Sequence, residues 1–489
     1  MSIALSRHSE IPLYKQVAAY FRMRIELGEL EAGTKLPSIR QLARTQGLNR
    51  ITVETASAEL EADGLVASRQ GSGTFVLPSF APQEKAQEEA HTAWPRWQYD
   101  AAERYNSIWR GNRLPLRTGG MDGEIIHLAG GNSDPRLFPI DAFRKTLRDI
   151  MLRDGTDALS YEEDAGYMPL RQTIARILVD QGIATTPDNI IVTTGSQQAI
   201  YLIAQVVLQA GDTVYTEVPT YTESMNLFRA LGMNIVSIPM DEGGMIIEKL
   251  QKELAVHGKG LIITMPTFHN PTGICMNGHR RRQLAAIAET SGIPVVEDDY
   301  AGDIRYDGHS QPAIKSLSAA GTTIYIGTFS KMLMPGLRVG YIVAEGPVRE
   351  HLIRYKRMLD LSTSGIVQRT LERFVDVGSY RNHLNRLCRT YRLRRDTLLT
   401  AAELYLPDDV FITPPDGGLF AWLQLPDDLS AEKIDKAARK HGVSVADGRA
   451  FFPDPDDGNH YLRINFCQHS AEILTTAIQR LGAAMHSCR

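Results

Sequence analysis

The sequence contains few of the features that mark secreted, membrane-bound or zinc-binding proteins. Its four cysteines, Cys275, Cys388, Cys467 and Cys488, are far apart and form no Cys-x-x-Cys pair. Neither a disulfide framework nor a metal site is therefore expected. No apolar run approaches the ~20 residues that a membrane-spanning helix needs, and the first residues do not have the pattern of a signal peptide. These absences predict a cytoplasmic protein without a membrane anchor.

The chain also lacks a strong charge of either sign. Its 53 lysines and arginines stand against 57 aspartates and glutamates, which gives a net charge of −4. Net charge therefore neither favours nor excludes a polyanionic partner, and only local patches can decide that question. A length of 489 residues is enough for two or three domains.

Residues 10–77 have the pattern of a winged helix-turn-helix. The stretch "PLYKQVAAYFRMRIELGEL" has apolar residues at nearly helical spacing. A second helix is expected between Ser38, placed as its N-cap, and Gly47, and a third between Asn49 and Gly64. The stretch "LVASRQGSGTFVL" has two short β-like runs around a Gly-Ser-Gly tip, which predicts a hairpin or wing.

This N-terminal unit carries a local basic patch. All four charged residues between positions 32 and 53 are basic, a pattern that suits phosphate neutralisation, although a solvated helix face is the alternative. In a helix-turn-helix, the second helix enters the major groove by its N-terminal residues. The predicted DNA-binding residues are Lys35, Ser38, Arg40, Asn49, Arg50, Thr52, Thr55 and the wing tip Gly71, Ser72 and Gly73, with Arg40 expected on phosphate.

The rest of the chain divides into a linker and a large α/β domain. Residues 78–124 lose the helical periodicity and have linker composition. From residue 125, strand-like runs alternate with helical patterns, which predicts a parallel sheet covered by helices. A smaller α+β subdomain is expected from about residue 352 to 489. The predicted boundaries are thus 1–77, 78–124 and 125–489.

Polar residues follow several of these strands, where open α/β sheets place their ligands. Ser196 and Gln197 follow a Gly turn at a helix N-terminus, so their amides could bind phosphate. Tyr221 could stack on an aromatic ligand, although a tyrosine with only a packing role is the simpler alternative. Asn270 precedes a proline, "VEDDY" places carboxylates after an apolar run, and Lys331 could serve as an amine nucleophile. Each motif alone is weak evidence.

Taken in order, the five motifs resemble those of the fold-type I aminotransferases, which bind pyridoxal 5′-phosphate (PLP), over nearly all of residues 125–480. By this resemblance Lys331 would hold PLP as an internal aldimine, and Asp298 would pair with the pyridine nitrogen. Asn270 and Tyr300 would bond the ring phenolate, and Tyr221 would stack on the ring. The phosphate would be held by Ser196, Gln197, Thr328, Ser330, Arg338 and the partner subunit's Tyr161. Arg463, in "YLRINF", matches an arginine that binds a substrate carboxylate, although a structural arginine at a strand end remains an alternative.

The N-terminal unit resembles the GntR-type winged helix in "KLPSIRQLA", "NRITVETASAEL" and "GSGTF". Its fusion to a PLP domain is similar to the MocR/GabR transcriptional regulators. The resemblance implies a homodimer, often head-to-tail, that binds a DNA operator and senses an amino compound by external aldimine formation, controlling genes of amino-compound or vitamin B6 metabolism. An active aminotransferase with a DNA-binding appendage, or a regulator that senses PLP itself, are the alternatives, and turnover is not expected to be the primary role.

Overall fold

The computed structural model describes residues 3, 5–6, 11–26, 29–69, 72–78, 95–108, 125–318 and 321–489. The chain divides into two compact units, residues 1–100 and 101–489. Within the predicted linker, Arg96–Ile108 is helical, while residues 79–94 and 109–124 lie outside the described residues. No helix among the described residues is long and apolar enough to cross a membrane.

The first unit is a winged helix-turn-helix, as predicted. It consists of helices α1 (Leu13–Glu26), α2 (Ile39–Gln46) and α3 (Arg50–Ala62) and strands β1 (Val66–Arg69) and β2 (Gly73–Val76), which pair antiparallel. Val17, Phe21, Leu42, Val53 and Leu60 are among the buried residues that join the three helices in one core.

Both predicted helix caps of this unit are present. The Ser38 hydroxyl accepts a hydrogen bond from the Gln41 amide, and the Asn49 side chain accepts one from the Ile51 amide. These bonds satisfy amides that have no partner within the helix. They fix where α2 and α3 begin, and Gly47, in the left-handed conformation, ends α2.

The second unit is built around a mixed eight-stranded sheet. After helix α4 (Arg96–Ile108) its strands are β3 (Ile126–His127), β4 (Ile190–Thr193), β5 (Thr213–Val218), β6 (Asn234–Asp241), β7 (Gly244–Met245), β8 (Gly260–Thr264), β9 (Val295–Asp299), β10 (Thr323–Thr328), β11 (Gly340–Val343), β12 (Phe411–Thr413), β13 (Phe420–Gln424), β14 (Val443–Ser444), β15 (Ala446–Asp447) and β16 (Tyr461–Asn465). The large sheet has the order β4-β11-β10-β9-β8-β5-β6-β7.

Helices lie between these strands in the chain. They are α5 (Ile140–Asp154), α6 (Met168–Asp180), α7 (Ser196–Val207), α8 (Thr222–Ala230), α9 (Ile247–His257), α10 (Gly278–Ser291), α11 (Ile314–Leu317), α12 (Pro347–Asp360), α13 (Gly365–Asp376), α14 (Ser379–Tyr405), α15 (Ala431–Lys440) and α16 (Ala471–His486). Strand and helix residues bury together, for example Val214 and Ile263 with Ile203, and Tyr215 with Leu284.

The prediction of a parallel sheet is correct for β5, β6, β8, β9 and β10 but wrong for β11 and for β7, which is antiparallel to β6. Strand β11 runs antiparallel to both β10 and β4. Only residues 329–339 separate β10 from β11, and a parallel crossover needs a dozen or more residues, usually including a helix. The segment that contains Lys331 therefore turns back at once.

The small subdomain also takes in a segment from earlier in the chain. Its antiparallel sheet has the order β12-β13-β16-β15, and β3 pairs in parallel with β14. Residues 126–127 thus belong with a subdomain that the sequence predicted to start near residue 352. This pairing brings the loop that follows β3 toward the carboxyl ends of the large sheet's strands.

Candidate functional site

The turn after β4 and the segment after β10 form one end of the candidate cofactor site. Gly195 has a φ of +117°, and a Cβ added there would lie 2.6 Å from a terminal nitrogen of Arg338. Helix α7 begins at Ser196, and the first amides of a helix have no partner within it. The structure therefore brings an arginine and a helix N-terminus together, which suits an anion.

Thr328 and Ser330 lie on the other side of this end. The Thr328 hydroxyl donates to the Val339 carbonyl at 3.2 Å, whereas the buried Ser330 hydroxyl has no partner among the described residues. The Gln197 side chain donates to the Glu223 carbonyl at 3.2 Å. The backbone amide of Gln197, and not its side chain, is therefore the candidate phosphate donor.

Lys331 lies against a glycine loop that the sequence did not predict to be part of the site. Its Nζ donates to the Gly131 carbonyl at 2.8 Å, and the Ser133 hydroxyl donates to the Lys331 carbonyl at 2.9 Å. A Cβ on Gly131 would lie 3.8 Å from Nζ and 3.9 Å from Phe420. Gly131 thus lies close to both the lysine amine and the Phe420 ring.

Asp298, near the end of β9, has a buried carboxyl oxygen without a partner among the described residues. Burial, followed by the charges of Asp299 and Glu217, raises the pKa of Asp298 to about 7. A buried carboxylate is costly unless it is paired, so this position calls for a protonated or cationic ligand atom.

Asn270, Tyr300 and Tyr221 surround the same space. The Asn270 oxygen accepts from Arg463 Nη1 at 2.8 Å, and the Tyr300 hydroxyl donates to the Phe268 carbonyl at 2.6 Å. Burial raises the pKa of Tyr221, and the charges of Asp298, Arg463 and Arg338 also act on it. Tyr221 therefore lies within electrostatic reach of both ends of the site.

Arg463, in β16, is buried between two aromatic rings. Its guanidinium carbon lies 4.1 Å from the centre of the Phe420 ring and 4.7 Å from that of Phe451. Nη2 donates to the Ala129 carbonyl at 2.8 Å, and Nε has no partner among the described residues. Burial lowers the pKa of Arg463 to about 10. The unpaired Nε suits a carboxylate ligand.

Tyr161 is not part of this arrangement within one chain. Tyr161 is 81% exposed. Its predicted contact with the cofactor phosphate in the partner subunit stays a prediction.

The predicted DNA-binding residues lie on the segment before α2, on α2 and α3 with their N-caps, and on the wing. Arg40, Asn49, Arg50, Thr55 and Ser72 are exposed. Arg50 pairs with Glu54 at 2.8 Å. Thr52 is half-buried, Ser38 caps α2, and Gly71 lies outside the described residues.

The wing contains a basic residue that the sequence analysis missed. The Lys35 ammonium lies 5.8 Å from the centre of the Phe75 ring, and the Arg69 guanidinium lies 5.3 Å from it. A Cβ on Gly73 would lie 2.7 Å from Lys35. Lys35 and Arg69 therefore both lie near the Phe75 ring of the wing. The pattern "SRQGSGTF" was the sequence signal that could have identified Arg69.

The chain is similar to two protein families and to several known proteins. Residues 124–481 match the family described as aminotransferase class I and II, and residues 13–76 match the bacterial regulatory proteins of the gntR family. The HTH-type transcriptional regulator YdfD of Bacillus subtilis is 30% identical over 481 residues, 97% of this chain and 96% of that protein. The HTH-type transcriptional regulator TauR of Rhodobacter capsulatus is 29% identical over 94% of this chain and 93% of its own length.

Among solved structures, α-aminoadipate aminotransferase LysN of Thermus thermophilus matches with a TM-score of 0.73 and 30% identity, over 79% of this chain and 98% of that one. Pyrococcus horikoshii kynurenine aminotransferase matches with a TM-score of 0.72 and 34% identity, over 82% of this chain and 96% of that one.

The fold and the two sites define a DNA-binding transcriptional regulator with an aminotransferase-like domain. The chain belongs to the aminotransferase class I and II family and joins to it a gntR-family winged helix, as MocR-type regulators do. The cofactor implied by the larger domain is PLP.

The residues present fit this cofactor. The unpaired Asp298 oxygen suits a protonated pyridine nitrogen, and the unpaired Ser330 hydroxyl and the Arg338 guanidinium suit a phosphate. Lys331 lies in the same β10–β11 segment as Ser330 and Arg338.

Proposed function

We propose that this regulator senses a small amino compound with a carboxylate group, using Lys331 and the bound cofactor as the sensing element, and that the occupied and unoccupied states differ in their affinity for an operator. The observation that carries the proposal is that Gly131 lies close to both the Lys331 amine and the Phe420 ring, while the guanidinium carbon of Arg463 lies 4.1 Å from the centre of that ring. An amine and a carboxylate of one ligand would meet these two groups.

Each chain residue has a defined task in this proposal. Bound PLP supplies an aldehyde carbon with which an amine condenses. Lys331 is the resident amine, and the Gly131 carbonyl, 2.8 Å from Nζ, would accept a hydrogen bond from its ammonium group when an effector takes its place. Arg463 orients the effector carboxylate. Asp298 holds the proton of the pyridine nitrogen, and Ser196, Gln197, Thr328, Ser330 and Arg338 bind the phosphate.

Release of Lys331 gives the effector a way to change the structure. A ligand shifts an equilibrium only as far as its affinities for the two states differ. The segment after β10 is tied to the glycine loop by Ser133 and to α14 by His383, whose ring nitrogen lies 2.9 Å from the Met332 carbonyl. A displaced Lys331 would therefore act on two other elements of the domain.

The proposed organisation follows the sequence prediction. Residues 1–77 bind DNA, residues 78–124 link the domains, and residues 125–489 sense the effector, in a cytoplasmic homodimer of head-to-tail arrangement. The regulated genes belong to amino-compound or vitamin B6 metabolism.

The test combines absorbance and DNA binding on the full-length protein. Amino acids are screened for a change in the visible band of the bound cofactor. We expect the compounds that change this band also to change the affinity of the protein for DNA sites that it has selected. Lys331→Ala should remove the visible band and the effector response. Lys252→Ala, at an exposed lysine of α9, should keep both. A full effector response in Lys331→Ala would contradict the proposal.

A second candidate is an active aminotransferase. The site contains a lysine, an acid and a carboxylate-binding arginine, and aromatic-amino-acid aminotransferase 1 of Thermococcus litoralis is 35% identical over 73% of this chain and 87% of that protein. Rapid multiple turnover of an amino acid with 2-oxoglutarate would favour this candidate. If DNA affinity instead differs between the PLP-free and PLP-bound protein and no amine alters it, the protein senses PLP itself.

A further inference from the structure

The outer face of α3 exposes several methyl groups. Ile51 is 67% exposed in the first turn of α3, and Thr55 and Ala58 are exposed four and seven residues later. Residues at this spacing share one face of a helix. The opposite face, with Val53, Ala56 and Leu60, is buried in the core of the unit.

Three polar side chains beside Ile51 already make hydrogen bonds within the helix or at its N-cap. The Thr55 hydroxyl donates to the Ile51 carbonyl at 2.9 Å, and the Arg50 Nε donates to Glu54 at 2.8 Å. The Asn49 oxygen accepts from the Ile51 amide at 3.1 Å. A bound partner that left these bonds intact would meet apolar surface at Ile51.

The charges on the neighbouring elements favour DNA as that partner. Exposed Lys35, Arg40, Arg44 and Arg69 lie on the segment before α2, on α2 and on the wing, and cations of this kind neutralise phosphates. In the major groove, the 5-methyl group of thymine is the one apolar group on a base edge, and aliphatic side chains contact it.

We propose that Ile51 determines sequence specificity by packing against the 5-methyl group of a thymine in the operator, with the Thr55 methyl group beside it. This inference rests on the DNA-binding part of the proposed function. It assigns base recognition to a residue of the first turn of α3 and gives Thr55 an apolar role.

The experiment uses deoxyuridine, which differs from thymidine at this position only by the missing methyl group. Double-stranded sites are first selected from a random library with the full-length protein. Each thymine of the selected site is then replaced by uracil, one at a time, and the Kd is measured. For wild type, we expect at least one thymine in each half-site at which the replacement weakens binding about fourfold, the effect of burying one methyl-sized group.

Two variants connect this effect to Ile51. Ile51→Ser should bind thymine and uracil equally at that position, and Ile51→Val should keep most of the difference. Met23→Ser, at a 52% exposed apolar residue of α1, is the matched control and should keep all of it. Circular dichroism should show that each variant is folded.

The outcomes separate this inference from the proposed function. Selection of a site in which every thymine tolerates uracil would overturn the inference and leave DNA binding established. A sensitive thymine whose effect persists in Ile51→Ser would also overturn it. Failure to select any site would contradict DNA binding, and with it both proposals.

Discussion

The carboxyl group of Asp298 is expected to make the stability of the folded protein depend on pH. An aspartate in an unfolded chain titrates near pH 4. In the folded, cofactor-free protein, burial and the nearby Asp299 and Glu217 raise the pKa of Asp298 to about 7. Between these values the folded state holds a proton that the unfolded state releases. The contribution of Asp298 to stability is therefore greatest at low pH and is lost as the pH rises through 7.

We predict that Asp298→Asn removes this dependence. The free energy of unfolding of cofactor-free wild type, minus that of the variant, should fall as the pH rises from about 4 to about 7 and then level off. The slope is at most about 1.4 kcal/mol per pH unit for one proton. Urea unfolding at pH 5, 6, 7 and 8 measures the difference. A difference that is constant or rises over this interval would show that Asp298 is ionised in the folded protein.

Residues at strand ends were easier to predict than residues in loops. Asn270, Asp298 and Lys331 carry functional groups directly after apolar runs, and the structure places Asn270 next to Arg463. Gly131 has no side chain and Phe420 has no charge, and both come from distant parts of the chain. Their positions in the site depend on how the subdomains pack. Local sequence patterns carry no information about that packing.

At the scale of an element, the N-cap of α3 tests whether Asn49 serves the helix or the DNA. Asn49→Ala removes the hydrogen bond to the Ile51 amide and should cost about 1 kcal/mol of stability in the N-terminal unit. Asn49→Ser keeps a capping oxygen and should cost little. Thermal unfolding and DNA affinity are measured for both variants.

The pair of variants separates the two roles of Asn49. If Asn49→Ser retains both stability and DNA affinity, Asn49 acts through the cap. If it retains stability and loses DNA affinity, the amide contacts DNA. Unchanged stability in Asn49→Ala would show that the cap does not stabilise α3.

Helix bounds in the N-terminal unit were predictable from the sequence, whereas the pairing of short strands was not. Capping residues and glycines are local signals, so the bounds of α2 and α3 followed from Ser38, Gly47 and Asn49. The pairing of β3 with β14 joins residues more than 300 positions apart, and strands of two residues have no periodicity to detect. The bridge between Lys35 and Phe75 was missed because an isolated bridge also has no periodicity to detect.

Exposed apolar residues near Tyr161 support the proposed dimer. Leu159, Tyr161, Met358 and Leu361 are 66%, 81%, 75% and 57% exposed. Two ion pairs, Glu162 with Arg369 and Asp164 with Arg357, join the segment that contains Tyr161 to the segment that contains Met358 and Leu361. Apolar patches of this kind mark interaction surfaces.

We predict that Met358→Asp weakens the dimer and its retention of PLP, because a charge would have to be buried in the interface and Tyr161 would leave the partner's site. Val256→Asp, at an equally exposed residue of α9, is the control and should remain dimeric. Sedimentation velocity gives the association state, and absorbance after dialysis gives the retained cofactor. A Met358→Asp variant that stays dimeric at the same concentrations would place the interface elsewhere.

Effector binding and DNA binding are expected to affect each other equally. If an amino compound changes the DNA affinity by some factor, DNA must change the affinity for that compound by the same factor, because the two bindings are linked. Couplings of this type are typically about 5- to 150-fold.

Titration of the cofactor band with effector, with and without saturating DNA, measures one side of the cycle, and fluorescence anisotropy of labelled DNA measures the other. Equal factors are expected for wild type. For Lys331→Ala, which lacks the visible band, the anisotropy measurement should show no effect of the compound on DNA affinity. A wild-type factor of one would mean that the two domains act independently, since affinity for DNA would then carry no information about the occupant of the aminotransferase-like site.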